Sequence, residues 1–441
     1  MKKLIVIMFC TTLVVLLAAC APAAAPPAPA PEAAAPQVEQ AADADAPDTP
    51  DTPETDERVQ LELWTWLAGQ QHAIDVYQSL NPHVEIELVQ MGHLDIAQRM
   101  LITIAAGSGA PDIFQQTART FSSTALTGGL VDLTERYAPH RHLFSDAING
   151  LISLDGRVYG IAPDISPAVI WYRRDIFEAY GVGEIETWND FEAAGRLLRD
   201  NGYYIMPIFN PAGGWGANAV AMYMQSRGGN FFTPDGRVIE NNEHLEFVMN
   251  WINRMYTEGI GIGLTFFTPE FWGEFHAGNI VAWPMNLPEG NNIRNNMPDQ
   301  SGLWDVMPFP RWEGLTTHYT GVWGGTIYGI PAMSENIDEA FAYLEWIAAT
   351  VEGQIAMFES WGSAPSNLEA ITHERFSEGD PFFSGTNPLD MVNPFPVFFY
   401  FDFATVETLV GEQLDLMFAG SVDPTTAARN IEQNIRDATG R

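Results

Sequence analysis

Apolar and polar residues alternate in two segments of the chain, residues 59–64 and 84–89. A period of two is typical of half-buried strands. Residues 73–80 and 95–106 instead have the spacing of amphipathic helices, and a short strand is predicted over residues 111–114. This β-α-β-α-β order predicts an open α/β sheet, a fold that binds ligands in a crevice at the carboxyl ends of its strands.

The remaining pattern predicts strands and helices up to the end of the chain. Residues 156–161 lead through a turn into one strand, and residues 168–172 form another. Thr187 and Asp190 have the spacing of a helix capping box. Further helices are predicted over residues 175–180, 242–256, 335–349, 405–417 and 424–438. About 384 residues follow position 57, too many for a single compact core, so we expect two or more domains.

The N-terminus has the three parts of an export signal. Lys2 and Lys3 precede an apolar run, which ends in small residues and Cys20. The segment resembles a bacterial lipoprotein signal, so residues 1–20 are predicted to be a signal peptide ending at a lipidated Cys20. The alternative is an ordinary secretory signal with an incidental cysteine, but the only other cysteine, Cys10, lies inside the removed segment. We therefore expect an extracytoplasmic protein, lipid-anchored to the cell membrane on its outer face or in the periplasm.

Residues 21–57 are almost entirely Ala, Pro and acidic residues, with nine Asp or Glu and no Lys or Arg. Such a composition lacks the apolar residues of a core, so we predict a disordered tether. No later apolar run reaches the ~20 residues that a spanning helix needs. The membrane contact is therefore predicted to be the lipid anchor alone.

The charge of the chain excludes one class of partner. The formal charge is −35, and about −28 remains on the folded body after residue 57. No basic stripe is present to neutralise phosphates, so nucleic-acid binding is excluded. The acidic average also disfavours an anionic ligand.

Sequence templates for catalysis are absent. The mature chain has no lysine, which excludes Schiff-base chemistry. No zinc-protease, serine-hydrolase or phosphate-loop motif occurs, and the histidines lack metal-ligand spacing. We expect no enzyme activity, no cofactor and no metal, although the many carboxylates leave a glycosidase pair formally open.

A series of weak motifs occurs in one order along the chain. It comprises residues 107–113 (GSGAPDI), 155–161 (DGRVYGI), 171–177 (WYRRDIF), 187–191 (TWNDF), 275–282 (FHAGNIVA), 324–325 (GG), 419–420 (AG) and 424–428 (PTTAA). Together they resemble the sugar-binding branch of the extracellular solute-binding proteins of ABC importers, the maltose-binding-protein-like proteins. The resemblance covers about residues 59–438. One departure is Arg173, where the family usually has Asn.

The resemblance implies an α/β, two-lobe periplasmic-binding-protein-like fold of type II, with a ligand cleft between lobes joined by hinge crossings. It places lobe 1 at residues 58–165 plus 287–332 and lobe 2 at 166–286 plus 333–441. The crossings are then expected near residues 164–168, 286 and 332. Closure around the ligand is driven by tighter binding to the closed state, so both lobes should supply contacts.

Aromatic plates and planar polar side chains are the groups that bind neutral sugars, and several follow predicted strands. Trp66 and Gln70 lie in the loop after the first strand, whereas Trp64 is expected in the core. Gln116 and Arg119 lie in a segment that resembles a ligand-binding loop of the family. For Gln115, a solvated loop position without ligand contact is an equal alternative to ligand binding.

The other candidates lie near the predicted hinge or in the second half of the chain. Asp164 matches a ligand-binding carboxylate of the family, with a hinge cap that binds backbone amides as the rival interpretation. Trp215 lies among glycines, which suggests an exposed plate, and Trp283 is expected in the core. The remaining candidate ligand contacts are Asn286, Glu289, Trp323, Trp361 and Tyr400.

These observations predict a membrane-anchored, monomeric receptor that captures a sugar or oligosaccharide and delivers it to the transmembrane subunits of an ABC permease. One alternative is the same scaffold binding a cationic or other small solute, with Asp164 and Glu289 as the obvious carboxylates. Another is a lipid-anchored secreted glycoside hydrolase. The sequence does not identify the sugar or its length.

Overall fold

A computed structural model describes residues 58–209, 215–394, 396, 398 and 401–441. The predicted signal peptide with Cys20, the tether over residues 21–57 and Tyr400 therefore lie outside the described residues. Within the described part of the chain, none of the helices combines the length and the apolar character needed to cross a membrane.

The described residues form a mixed α/β structure. The strands are β1 Val59–Thr65, β2 Val84–Gln90, β3 Ile113–Thr117, β4 Ser153–Leu154, β5 Arg157–Val158, β6 Gly160–Ile161, β7 Asp164–Ile165, β8 Ala168–Arg173, β9 Met206–Phe209, β10 Gly261–Leu264, β11 Ala282–Asn286, β12 Trp304–Met307, β13 Thr326–Gly329 and β14 Ala364–Pro365.

The α-helices are α1 Gln70–Leu80, α2 His93–Ala106, α3 Ala118–Ala125, α4 Thr134–Tyr137, α5 Asp146–Leu151, α6 Arg174–Ala179, α7 Trp188–Arg199, α8 Trp215–Ser226, α9 Glu243–Thr257, α10 Pro269–His276, α11 Glu289–Asn296, α12 Ile337–Ala349, α13 Val351–Trp361, α14 Phe403–Phe418 and α15 Pro424–Thr439. Short 3₁₀ helices cover Ala138–Leu143, Pro298–Gln300, Ala370–Thr372, Glu374–Ser377, Pro381–Phe383 and Pro388–Met391.

The first sheet has the strand order β2-β1-β3-β13-β6. Strand β1 pairs in parallel with β2 and β3, so their carboxyl ends lie at one edge, while β13 runs antiparallel to β3. The helices α1, α12 and α13 pack together on this sheet, where Tyr77 and Tyr343 meet edge to face at 5.0 Å. The loops after β1, β2 and β3 are thus brought to the same edge.

A second group of strands surrounds β8, which is antiparallel to both β11 and β12. The parallel pair β9 and β10 lies nearby and again places two carboxyl ends side by side. The core here is aromatic: Trp171, Trp188, Trp251, Trp283 and Trp304 are fully buried. Helices α8, α9, α14 and α15 pack on one another around this group.

The chain crosses between the two groups at residues 163–168. The backbone of Ser166 is hydrogen-bonded in both directions to residues 323–324, and β7 pairs with β14. Gly325 is required at this crossing, since a Cβ atom there would lie 2.8 Å from the carbonyl oxygen of Asp164.

These contacts group the chain differently from the predicted boundaries. Strand β12, predicted in lobe 1, pairs with β8, and helices α12 and α13, predicted in lobe 2, pack on α1. We propose that residues 58–163 plus 326–363 form the first lobe and residues 167–321 plus 368–441 the second. In this grouping, crossings at residues 322–325 and 364–367 replace the expected crossings near residues 286 and 332.

Candidate functional site

Aromatic side chains from both lobes meet at the edge where the parallel strands end. Trp66 follows β1, and its ring lies 6.2 Å from that of His93, the first residue of α2. His93 lies 6.3 Å from Trp215, the first residue of α8 in the second lobe. Trp215 is in turn stacked at 6.0 Å and 11° on Trp323 beside the crossing. We call these four side chains the aromatic row.

The aromatic row needs both lobes, because Trp66 and His93 belong to the first and Trp215 to the second. Trp66 and Trp215 are half-buried, whereas Trp323 is 9 % exposed. Burial and the nearby Arg119 lower the pKa of His93, so its imidazole is neutral at neutral pH. The row therefore offers uncharged, partly exposed ring faces between the lobes.

An ion pair joins the lobes beside the aromatic row. Arg119 of α3 donates from Nη1 to Oε1 of Glu407 of α14 at 2.9 Å, with the Arg119 side chain 8 % exposed. Asn218 donates to the same oxygen at 3.2 Å. The Arg119 guanidinium also lies 5.6 Å from the centroid of the Trp215 ring. The guanidinium thus pairs with the Glu407 carboxylate and also lies against the Trp215 ring.

Asp164 lies at the crossing with both carboxylate oxygens in use. The backbone N–H of Thr326 donates to Oδ1 at 2.9 Å and its hydroxyl to Oδ2 at 2.6 Å. Burial raises the pKa of Asp164 to about 6, although these hydrogen bonds act in the opposite direction. The hinge-cap interpretation therefore describes the observed contacts of Asp164.

Glu289 is the first residue of α11 and is also buried. Its one hydrogen bond in the described structure comes from the side chain of Asn292 at 2.7 Å. Burial raises its pKa to about 7. This carboxyl group is therefore partly neutral at physiological pH.

Two predicted site residues have buried polar atoms without a hydrogen-bond partner among the described residues. These atoms are Nε2 and Oε1 of Gln116 and Oδ1 of Asn286. Such atoms cost free energy unless water or a ligand satisfies them. Gln116 lies within β3, not in the loop that the sequence suggested, and Asn286 ends β11.

Gln70 does not reach the cleft. It is fully buried, its Nε2 donates to the Tyr343 hydroxyl at 2.8 Å, and its Oε1 accepts from the Tyr328 hydroxyl at 2.6 Å. Tyr328 also accepts from Gln115 at 2.9 Å. The predicted ligand contact is replaced by a buried network that holds the start of α1, and with it the loop that carries Trp66.

The remaining candidates are placed as follows. Trp361 is the last residue of α13, where its carbonyl accepts from Asn291 at 2.9 Å. The predictions that Trp64 and Trp283 lie in the core are confirmed. The sequence suggested that Trp215 is an exposed plate on a loop; it is instead the first residue of helix α8.

No group of three or more His, Cys, Asp or Glu side chains within the described ranges is placed to hold a metal ion.

Sequence reasoning missed His93, Asn218 and Glu407. Glu407 lies 288 residues from Arg119 along the chain, and no local pattern signals such a pairing. His93 did carry a usable signal, because it begins the helix after β2, next to the carboxyl ends of parallel strands.

Two α/β lobes whose aromatic side chains meet where parallel strands end are typical of a solute-binding protein of the periplasmic-binding-protein type. The chain belongs to the family of bacterial extracellular solute-binding proteins, whose model matches residues 64–364. This confirms the family that the ordered motifs indicated.

Similar proteins support both the family and the fold. The chain is 24% identical over 380 residues to an arabinooligosaccharide-binding protein of Bacillus subtilis, covering 80% of this chain and 86% of that protein. It is 24% identical to a lactose-binding protein of Rhizobium radiobacter, covering 74% and 79%. A solved ABC-transporter-associated binding protein from B. animalis subsp. lactis, in complex with β-1,6-galactobiose, has a TM-score of 0.74 at 18% identity and covers 87% of this chain and 98% of that one. The α/β two-lobe fold is thereby confirmed.

Proposed function

We propose that this protein captures a neutral sugar or oligosaccharide in the cleft between its lobes and delivers it to an ABC permease. The observation that carries the proposal is the aromatic row, in which Trp66 and His93 of one lobe meet Trp215 of the other. The C–H faces of a sugar ring pack on such apolar plates. A ligand seated there contacts both lobes and so favours the closed state.

The environments of the candidate carboxylates support a neutral ligand over a cation. Glu407 is already paired with Arg119, and both carboxylate oxygens of Asp164 accept hydrogen bonds from Thr326. Glu289 is buried and partly protonated near neutral pH. A cation site needs several ionised carboxylates facing the ligand, and a buried charge without a partner is costly.

The ligands in the names of similar proteins also support a neutral ligand. Relatives at 24% identity are described as arabinooligosaccharide-, lactose- and mannitol-binding proteins, all of which bind neutral, polyhydroxylated compounds. We infer the same ligand class here. We further propose that the protein acts as a monomer without catalysis, and that Cys20 anchors it to the membrane and raises its concentration near the permease.

Isothermal titration calorimetry of the purified protein tests the ligand class. The panel comprises arabinose, arabinobiose, arabinotriose, lactose, galactobiose, mannitol and the diamine putrescine. We expect at least one saccharide to bind and to be recovered unchanged. Binding of putrescine with no saccharide bound favours the cationic alternative, and hydrolysis of the saccharide favours the glycosidase.

Replacing Trp215 with Ala is expected to weaken binding of that saccharide by about 2 kcal/mol, or roughly 30-fold, because a central aromatic anchor is removed. Calorimetry measures the change. The matched control is Trp346→Ala, since Trp346 is also half-buried but packs on Tyr77, away from the cleft. The control should lose thermal stability and keep its affinity; equal affinity losses in both variants would contradict the assignment of Trp215.

A further inference from the structure

Phe267 has a backbone conformation that a bulky residue rarely adopts. Its φ is 59°, in the left-handed region where a Cβ atom meets the neighbouring backbone. Among the described residues the other non-glycine residues with positive φ are Asp155, Asn241, Ser384 and Asp402. Those are short polar residues, which tolerate this region better than an aromatic one.

The position itself does not require a phenylalanine. Phe267 precedes Thr268, which caps α10 by accepting a hydrogen bond from the N–H of Phe271 at 3.3 Å. The turn into this helix needs a residue with positive φ, and glycine supplies it at the lowest cost. A phenylalanine in this place therefore indicates that its ring has a use, because strained residues concentrate at functional sites.

The ring of Phe267 lies at the outer side of the aromatic row. It follows β10, whose carboxyl end adjoins that of the parallel strand β9. Its centroid is 5.7 Å from that of Trp215, edge to face. Exposure increases outward from Trp323 at 9 % through the half-buried Trp215 to Phe267 at 38 %.

We propose that Phe267 is a ligand-contacting residue that gives the cleft its preference for oligosaccharides over shorter sugars. The inference rests on the proposed saccharide function. A sugar unit stacked on Trp215 contacts the inner part of the row, and the next unit along the chain of the ligand reaches the exposed face of Phe267. A monosaccharide on Trp215 leaves that face unused.

The test compares Phe267→Gly with wild-type protein, using the saccharide that binds wild type most tightly, in forms of one to four units. Gly relieves the backbone strain and removes the ring. We expect a melting temperature close to that of wild type, because the relieved strain offsets the lost packing of the ring on Phe266 and Trp272. Affinity for the three- and four-unit forms should fall by about five- to tenfold, and affinity for the one-unit form should change less than twofold.

Two further variants keep the result interpretable. Ser384→Gly has the same φ of 59° and relieves a comparable backbone conformation elsewhere, so it should leave all affinities unchanged. Phe267→Tyr keeps an aromatic plate and should keep the length preference. Both variants are measured by the same titrations and melts.

Three outcomes would contradict either the role of Phe267 or the saccharide function on which it rests. If Phe267→Gly melts below wild type and loses affinity equally for every length, the ring only packs against its neighbours and the proposal is overturned. If every length binds unchanged, the proposal is overturned as well. If wild type binds no saccharide in any form, the proposed function fails together with the role of Phe267.

Discussion

Replacing Arg119 with Met is expected to weaken saccharide binding by about 3 kcal/mol, or roughly 100-fold, near pH 7.5. The substitution removes the ion pair to the Glu407 carboxylate, which keeps its hydrogen bond from Asn218. It also removes the guanidinium that lies 5.6 Å from the centroid of the Trp215 ring. Because the ion pair joins α3 of one lobe to α14 of the other, its loss disfavours the closed state that holds the ligand. Calorimetry at fixed pH measures the effect.

The double variant Arg119→Met, Glu407→Gln serves as the control. Without the unpaired carboxylate it should regain much of the lost affinity, so the two single changes will be strongly non-additive. Burial raises the pKa of Glu407, so acidification should also partly rescue Arg119→Met by protonating that carboxyl. Strictly additive losses that do not depend on pH would show that the ion pair does not stabilise closure.

Replacing Glu289 with Gln is expected to stabilise the folded protein at pH 8 by up to about 3 kcal/mol. Burial raises the pKa of Glu289 from an ordinary 4.5 to about 7. The folded state therefore binds this proton more tightly than the unfolded state does. The resulting stability is present below pH 4.5 and is lost as pH rises through 7, where the wild-type protein must hold a buried carboxylate.

Urea denaturation at pH 5, 6, 7 and 8 measures this effect. The difference between Glu289→Gln and wild type should grow from about 1 kcal/mol at pH 5 to its full value of about 3 kcal/mol at pH 8. Asp164, whose pKa of about 6 is also raised, remains in both proteins, so its own pH dependence cancels in the difference. A difference that is constant with pH would mean that Glu289 is ionised in the fold at all these values. Titration of the saccharide into the same variant shows separately whether Glu289 contacts the ligand.

Local signals in the sequence predicted several of the longer strands and helices. The predicted strand over residues 59–64 is observed as Val59–Thr65, and the helix over 424–438 as Pro424–Thr439. The capping box of Thr187 and Asp190 is confirmed, with the Asp190 N–H donating to the Thr187 hydroxyl at 3.2 Å. These features depend on residues close together in the chain, which is why patterns and caps suffice to find them.

The candidate site depends on contacts across the chain, and there the sequence was less informative. Gln70 was placed at the cleft because it follows a strand, but its partners Tyr328 and Tyr343 lie more than 250 residues away. Trp215 was selected as an aromatic among glycines, and it lies near the rings of His93 and Trp323; its contact with a ligand stays a prediction. The pairing of Glu407 with Arg119 spans 288 residues, and no local pattern signals it, whereas His93 could have been found from its position directly after β2.

A crystal structure of the protein with its tightest-binding saccharide would show where the ligand binds. We expect a sugar ring packed on Trp215, between the lobes, with Trp66 or His93 on its other side. A saccharide bound elsewhere, such as in the groove of the second lobe lined by Tyr172, Phe177 and Phe309, would contradict this expectation.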